Sequence, residues 1–400
     1  MLKSYHLITP KGTKDILLEE CEAQSWIEEQ LRGIFSGYGY CQVVTPGVEY
    51  LDVYANQPGN AGSEHMFKLL DNEGRIMVLR PDSTAPIARL AATRLRRSVM
   101  PLRLYYNQRV YRQKGLYSGR RIETAQMGAE LIGADSTRAD LEMLHIAMEV
   151  LAGCGFQDYR IELGHGGLCG LLIDGLPADS GQKEGLRQFI REKNYAALND
   201  LLDTLEQSDQ TRAIRHLPGL FGGREVLDRA EAVFQEREAR EILAYLRSLF
   251  DILRRLGLGD RLLLDLGFVN DNDYYTGIIF QGYVQGLGEA ALLGGRYDRL
   301  LARFGEPWPA IGFGVNVDLL TKRRLEEGWQ RPAPPPGALI WGGTGYEALS
   351  LQYAKTLRQT PGMTVENSVF ADLAQSEAYA RAKGIPQLHE VGETIKIHVL

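Results

Sequence analysis

A chain of 400 residues is long for a single core, because domains run roughly 100–200 residues, so two or three domains are expected. Hydrophobic residues make up 44% and charged residues 24%, a balance that excludes wholesale disorder. The 45 basic residues against 51 acidic ones leave −6, which excludes a chain whose main business is gripping phosphate backbones.

In chain order, Glu19–Ser36 is amphipathic with helical period and stops before Gly37 and Gly39. Met66–Leu70 and Arg75–Leu79 are apolar runs joined by Asp71-Asn72-Glu73-Gly74, which predicts a hairpin. Thr137-Arg138-Ala139-Asp140 has the spacing of a capping box and predicts a helix running to about Ala152. Residues 176–258 are rich in charge and helical period, and in the last part Ala239, Ile242, Leu243, Leu246, Leu249, Phe250, Leu253 and Leu256 form one apolar stripe. Leu262–Phe268 and Ile278–Val284 read as strands around a polar loop, and Ala310–Val317 begins as a strand. Short strands interleaved with long helices predict an α+β fold, an antiparallel sheet backed by helices rather than a doubly wound one.

The proline-rich run Arg331–Gly337 predicts an extended linker. Beyond it, strands at Ala338–Gly343, Met363–Phe370 and Thr394–Leu400 alternate with helices at Tyr346–Gln359 and Asp372–Lys383. The expected domains are therefore a core over 1–320 with a helical insertion at about 176–258, a linker over 321–337, and a small α/β unit over 338–400. No run approaches the ~18 apolar residues of a membrane-spanning helix, and the opening Met1–His6 leads into no export segment, so a cytoplasmic location is expected. Cys21, Cys41, Cys154 and Cys169 are scattered, so reduced thiols are expected rather than zinc ligands or a disulfide framework. No cofactor and no metal are expected.

Four segments are polar where a sheet protein should be apolar. They are Leu79–Thr84, Tyr111-Arg112 with the following loop to Gly133, Asn270–Gly277, and Leu293–Asp298. In the second, Gln126, Gly128 and Glu130 alternate with Met127, Ala129 and Leu131, which makes one strand face polar. One such strand reads as a solvated face. Four in one chain point to a lined cleft, because carboxylates, amides and tyrosines together satisfy an amino acid's polar groups.

The order and wording of these segments resemble the catalytic core of the class II histidyl-tRNA synthetases over about 1–320. Thr9–Asp15 is similar to that family's opening segment, and Gly39-Tyr40 through Pro46 to its dimer-forming first motif. Tyr111-Arg112 with its loop and return strand resembles the second motif. Asp273-Tyr274-Tyr275 resembles the histidine signature, and Gly294–Asp298 with Ala310–Leu320 the third motif. The resemblance implies the class II antiparallel sheet with flanking helices, followed by a small C-terminal α/β domain.

The departures are informative. The family's signature opens on an arginine where this chain has Asn270, and its third motif ends on an arginine where this chain has Leu319. Its second motif carries a glutamate and an adenine-stacking aromatic where this chain has Lys114 and Thr124. Adenylation builds negative charge at the α-phosphate, and losing one such donor typically costs about 10²–10³ in rate. The family's amino-acid half is retained. By resemblance, histidine's ammonium and imidazole are held at Asp82, Thr84, Gln126, Glu130, Tyr274 and Tyr275, with Arg112 facing the carboxylate. Asp82 stands where the family has glutamate, one methylene shorter.

This pattern resembles the ATP phosphoribosyltransferase regulatory subunits, paralogues of the synthetase. It implies a chain without aminoacylation activity that works in the first step of histidine biosynthesis and in its feedback inhibition. The implied partners are a short-form catalytic subunit, L-histidine as ligand, and a second copy of the chain within a hetero-oligomer. Two rivals stay open. A divergent histidyl-tRNA synthetase is favoured by Arg112. A synthetase-like RNA-binding module is favoured by basic residues such as Arg94, Arg96, Arg97, Arg109 and Arg120, although without interleaved aromatics nucleic acid is not the expected partner.

Overall fold

The computed structural model describes residues 5–54, 66–113, 121–269, 274–330 and 337–400. Helix α1 (Leu18–Gly37) forms where Ala23, Ile27, Leu31 and Phe35 recur every four residues and are all buried. Strands β1 (Cys41–Gln42) and β2 (Val48–Tyr50) follow, then β3 (Lys68–Leu70) and β4 (Ile76–Leu79). The predicted turn between the last two is built by the Asp71 carboxylate, which accepts from the Glu73 and Arg75 amides, and by Gly74 at φ 78°. Next come α2 (Thr84–Arg94), β5 (Leu102–Tyr111), β6 (Glu123–Ile132), α3 (Thr137–Gly153) and β7 (Tyr159–His165).

The helical segment contains α4 (Gly166–Asp174), α5 (Ser180–Arg191), α6 (Tyr195–Asp203), α7 (Asp209–His216), the two-residue β8 (Phe221–Gly222), α8 (Glu225–Val233) and α9 (Arg237–Arg255). The apolar stripe read from the sequence is the buried face of α9, with Ala239, Leu243, Leu246, Leu249, Phe250 and Leu253 inside. The chain then returns to the sheet through β9 (Leu262–Asp265), β10 (Ile278–Val284), β11 (Leu292–Arg296) and β12 (Ala310–Asn316), and leaves it on α10 (Val317–Glu326).

The main sheet has the order β1-β5-β6-β12-β11-β10-β7-β9-β8. It is antiparallel from β5 through to β7, with parallel pairs β1–β5 and β7–β9 toward its ends. Because side chains alternate across a strand, the register decides what the open face carries. Gln126, Gly128 and Glu130 on β6 stand opposite Asn316, Gly314 and Gly312 on β12, and Gly312 stands opposite Gly295 on β11. The opposite face is closed by α1, α3 and α9 against one large apolar core.

Two expectations change. The Thr137–Asp140 capping box does not form: Ser136 is the N-cap, without a side-chain bond, and Asp140 is drawn into a buried ion pair with Arg296 instead. The core does not stop at residue 320, since α10 runs to Glu326 and the division into two compact units falls between Glu327 and Gly328. The linker residues 331–336 lie outside the described residues.

The second unit contains β13 (Ala338–Gly342), α11 (Glu347–Leu357), β14 (Val365–Asn367), α12 (Leu373–Lys383), β15 (Gln387–Val391) and β16 (Ile395–Val399). Its sheet runs β14-β13-β15-β16, with only β16 antiparallel. Ala354 of α11 packs on Ile340 on one face, and Ala380 of α12 packs with Leu339 on the other.

Candidate functional site

The site is assembled where α2 begins over the glycine-lined face of the main sheet. The turn before α2 brings in Asp82, whose Oδ1 accepts from the Ala85 amide at 3.1 Å and so satisfies a free donor of the helix start. Thr84, the first residue of α2, donates its hydroxyl to Glu130 Oε1 at 3.0 Å. Tyr297, just beyond β11, donates to Glu130 Oε2. Glu130 is only 1% exposed, and burial pushes its carboxyl up to about 8 against the two hydroxyl donors, with the Asp82 charge adding to the rise.

Glycine makes this arrangement possible. A Cβ at Gly312 would overlap the Glu130 carboxylate, and one at Gly128 would overlap the Tyr106 hydroxyl. Tyr106 in turn donates to Gln126 Oε1 at 3.2 Å. Tyr274 and Tyr275 stand with ring centroids 4.7 Å apart, and Tyr274 meets Tyr297 edge-on at 5.9 Å. A Cβ at Gly295 would lie 2.7 Å from the Tyr275 ring, so that ring rests on bare backbone. Burial pushes the Tyr274 hydroxyl well up, with Tyr275, Asp82 and Glu130 contributing. Arg112 is exposed at the edge of the site, where Nε donates to the Pro81 carbonyl at 2.7 Å. Burial raises the Asp82 carboxyl, and the Arg112 charge acts against that rise.

All seven residues singled out in the sequence therefore meet in one connected cluster. Asp82 does so in an unexpected posture, with one carboxylate oxygen committed to the start of α2. Two further members, Tyr106 and Tyr297, were not assigned roles from sequence. Tyr297 lies inside the polar Leu293–Asp298 run, which was the available signal. Tyr106 sits in a β5 whose residues are mostly buried, and no local signal marks it.

Thr124 pairs with Val110 across β6 and β5, and Leu319 occupies the first turn of α10. On the face of the sheet covered by α1, arginines among the described residues pair within the chain. Arg121 pairs with Asp318 at 3.1 Å and reaches Glu20 at 3.7 Å, while Asp318 also accepts from the Ala125 amide. Arg109 pairs with Glu123 at 3.4 Å. Asn270, Asp273 and Lys114 lie outside the described residues. Among the described residues no group of three or more His, Cys, Asp or Glu is placed to hold a metal, and no helix is long and apolar enough to cross a membrane.

Known proteins resemble this chain over most of its length. The histidyl-tRNA synthetase family model matches residues 12–320. The ATP phosphoribosyltransferase regulatory subunit of Moorella thermoacetica is 37% identical over 98% of this chain and 100% of its own length. That of Clostridium kluyveri is 36% identical over 94% of this chain and 97% of its own. A crystal structure from Bacillus halodurans C, described as an ATP phosphoribosyltransferase regulatory subunit/histidyl-tRNA synthetase, superposes with a TM-score of 0.83 at 30% identity, covering 97% of this chain and 98% of that one. The histidyl-tRNA synthetase of Nostoc sp. PCC 7120 shares the fold, with a TM-score of 0.76 at 20% identity over 98% of this chain and 96% of that one. A synthetase-like sheet and relatives matched over nearly their whole length lead to one conclusion: the chain belongs to the ATP phosphoribosyltransferase regulatory subunit family, on the class II histidyl-tRNA synthetase fold.

Proposed function

We propose that this chain binds free L-histidine in the Glu130 cluster and passes that signal to a short-form ATP phosphoribosyltransferase catalytic subunit in the cytoplasm, without aminoacylating anything itself. The observation that carries the reading is the convergence of Thr84 and Tyr297 on Glu130. With both carboxylate oxygens already accepting hydroxyl donors, Glu130 is oriented to take a further N–H from an imidazole ring. Asp82 and Thr84 then face the ammonium, Gln126 supports it, and Arg112 faces the carboxylate. Tyr274 and Tyr275 wall the ring. Each polar group of the ligand needs such a partner, because burying one unpaired costs about 1–3 kcal/mol.

The lack of aminoacylation rests on Leu319 and Thr124, together with Asn270 and Lys114, at positions where the synthetases hold the nucleotide. The rival reading, a divergent synthetase, is supported by Arg112 alone, and histidine-dependent ATP–pyrophosphate exchange above a no-enzyme control would establish it. A two-fold dimer is supported by Gly39–Pro46, with Val44 exposed within it and Val48 and Tyr50 exposed just beyond it. Sedimentation of the isolated chain as a monomer at micromolar concentration would refute the dimer.

The deciding experiment for the function is inhibition of the reconstituted complex. Histidine inhibits the wild-type assembly, and Glu130→Ala and Gln126→Ala raise the histidine needed for half-inhibition. Unchanged inhibition in both variants means that the sensor lies elsewhere.

A further inference from the structure

Arg296 closes β11 one residue before Tyr297, and it is tied in two directions. Its guanidinium is buried. Nε donates to Asp140 Oδ1 at 2.9 Å, and a terminal nitrogen lies 2.7 Å from the same oxygen. The other terminal nitrogen bonds Asp298 Oδ1 and the Ala134 carbonyl, each at 3.0 Å. The second oxygen of Asp140 accepts the hydroxyl of Tyr245, which lies on α9. This ties α3 and α9 to the end of β11.

The main chain of Arg296 is bonded to the segment that carries Tyr274 and Tyr275. Its carbonyl accepts from the Thr276 amide at 2.7 Å, and the Asp298 amide donates to the Thr276 hydroxyl at 3.0 Å. A Cβ at Gly277 would lie 2.9 Å from Arg296 Cδ, so the arginine stem packs on the backbone just after Tyr274-Tyr275-Thr276. One residue thus joins the walls of the pocket to helix α9. Buried, charge-assisted networks of this kind couple their members strongly, because leaving any one of them unpaired is costly.

We propose that Tyr245 and Asp140 are positioning residues of the pocket, acting through Arg296 on Tyr297 and the Tyr274–Tyr275 pair, so that pocket occupancy and the state of helix α9 are coupled. The ligand half of this statement rests on the histidine reading above, and the mechanical half does not. Coupling is reciprocal. If α9 sets the pocket walls, a ligand that orders those walls must also protect α9.

The test uses the full chain, with Tyr245→Phe keeping the ring and deleting only its hydroxyl. The control is Tyr283→Phe, which removes a tyrosine hydroxyl bonded to Gln281 on the same sheet. By hydrogen exchange without ligand, Tyr245→Phe speeds exchange at 274–277 and 296–298, while the control leaves those segments unchanged. With L-histidine, wild-type α9 exchanges more slowly around residue 245, and Tyr245→Phe weakens histidine binding by roughly fivefold or more. In the reconstituted complex, histidine inhibition weakens to match while activity without histidine stays at the wild-type level, a split that simple destabilisation would not produce. Unchanged exchange at 274–277 and 296–298 overturns the coupling whatever ligand the pocket takes. Faster exchange with unaltered histidine affinity overturns it as well. If the wild type binds no histidine, the ligand reading fails, and the exchange arm alone still decides the coupling.

Discussion

The two faces of the main sheet carry opposite kinds of polarity near the Glu130 site. Around Glu130, the hydroxyls of Thr84 and Tyr297 converge on one buried carboxylate. On the face covered by α1, Arg121 pairs with Asp318 and Glu20, and Arg109 with Glu123. A buried carboxyl raised to about 8 is a cost to the fold. These charges on the covered face are instead paired within the chain among the described residues. The comparison teaches that the open face holds a buried carboxyl with only hydroxyl partners, whereas the covered face matches Glu123 and Asp318 each with a guanidinium.

The largest effect should come from Asp82→Ala. It removes both the acceptor at the start of α2 and the ammonium partner, so histidine binding should weaken roughly ten- to a hundredfold. Melting temperature should fall as well, since losing an N-terminal cap costs about 0.5–2 kcal/mol. Unaltered affinity would show that Asp82 serves the helix alone. Tyr297→Phe should have a smaller effect, about three- to tenfold on histidine affinity, because Thr84 still holds Glu130 in place.

A third prediction concerns pH. In the folded chain Glu130 keeps its proton up to about 8, whereas in the unfolded chain it loses it near 4.5. The native state therefore binds the extra proton between those values, and this group's contribution to stability falls as pH rises through that window. His165 acts oppositely: burial lowers it to about 4, so stability falls as pH drops from 6.5 toward 4. Glu130→Gln should consequently melt at a higher temperature than wild type at pH 8, with the gap shrinking toward pH 5. A gap independent of pH would mean that Glu130 is ionised in the native chain. The smallest expected effect is none at all. Asn270→Arg combined with Leu319→Arg should still give no ATP–pyrophosphate exchange, because Thr124 and Lys114 remain, and measurable exchange would refute the account of the nucleotide half.

Much of this was legible in the sequence, for local reasons. The four-residue apolar spacing of α1 and α9, and the alternation at Gln126, Gly128 and Glu130, are patterns whose period directly reports the face. What escaped was set by distant partners. Asp140 matches a capping box by spacing, but Arg296, 156 positions later, claims its carboxylate. Strand β15 is short and holds the buried His389, which reads as polar until Tyr353 and Gln387 are seen to satisfy both ring nitrogens. The posture of Asp82 was equally hidden, since a carboxylate can turn toward a ligand or toward its own helix without any change in sequence.

The most direct test of the central claim is a calorimetric titration of L-histidine into the full wild-type chain and into Glu130→Ala. Saturable binding by the wild type, lost or weakened by well over tenfold in the variant while the fold is retained, is the predicted result. A wild type that gives no saturable heat, or a variant that binds as tightly as wild type, would contradict it.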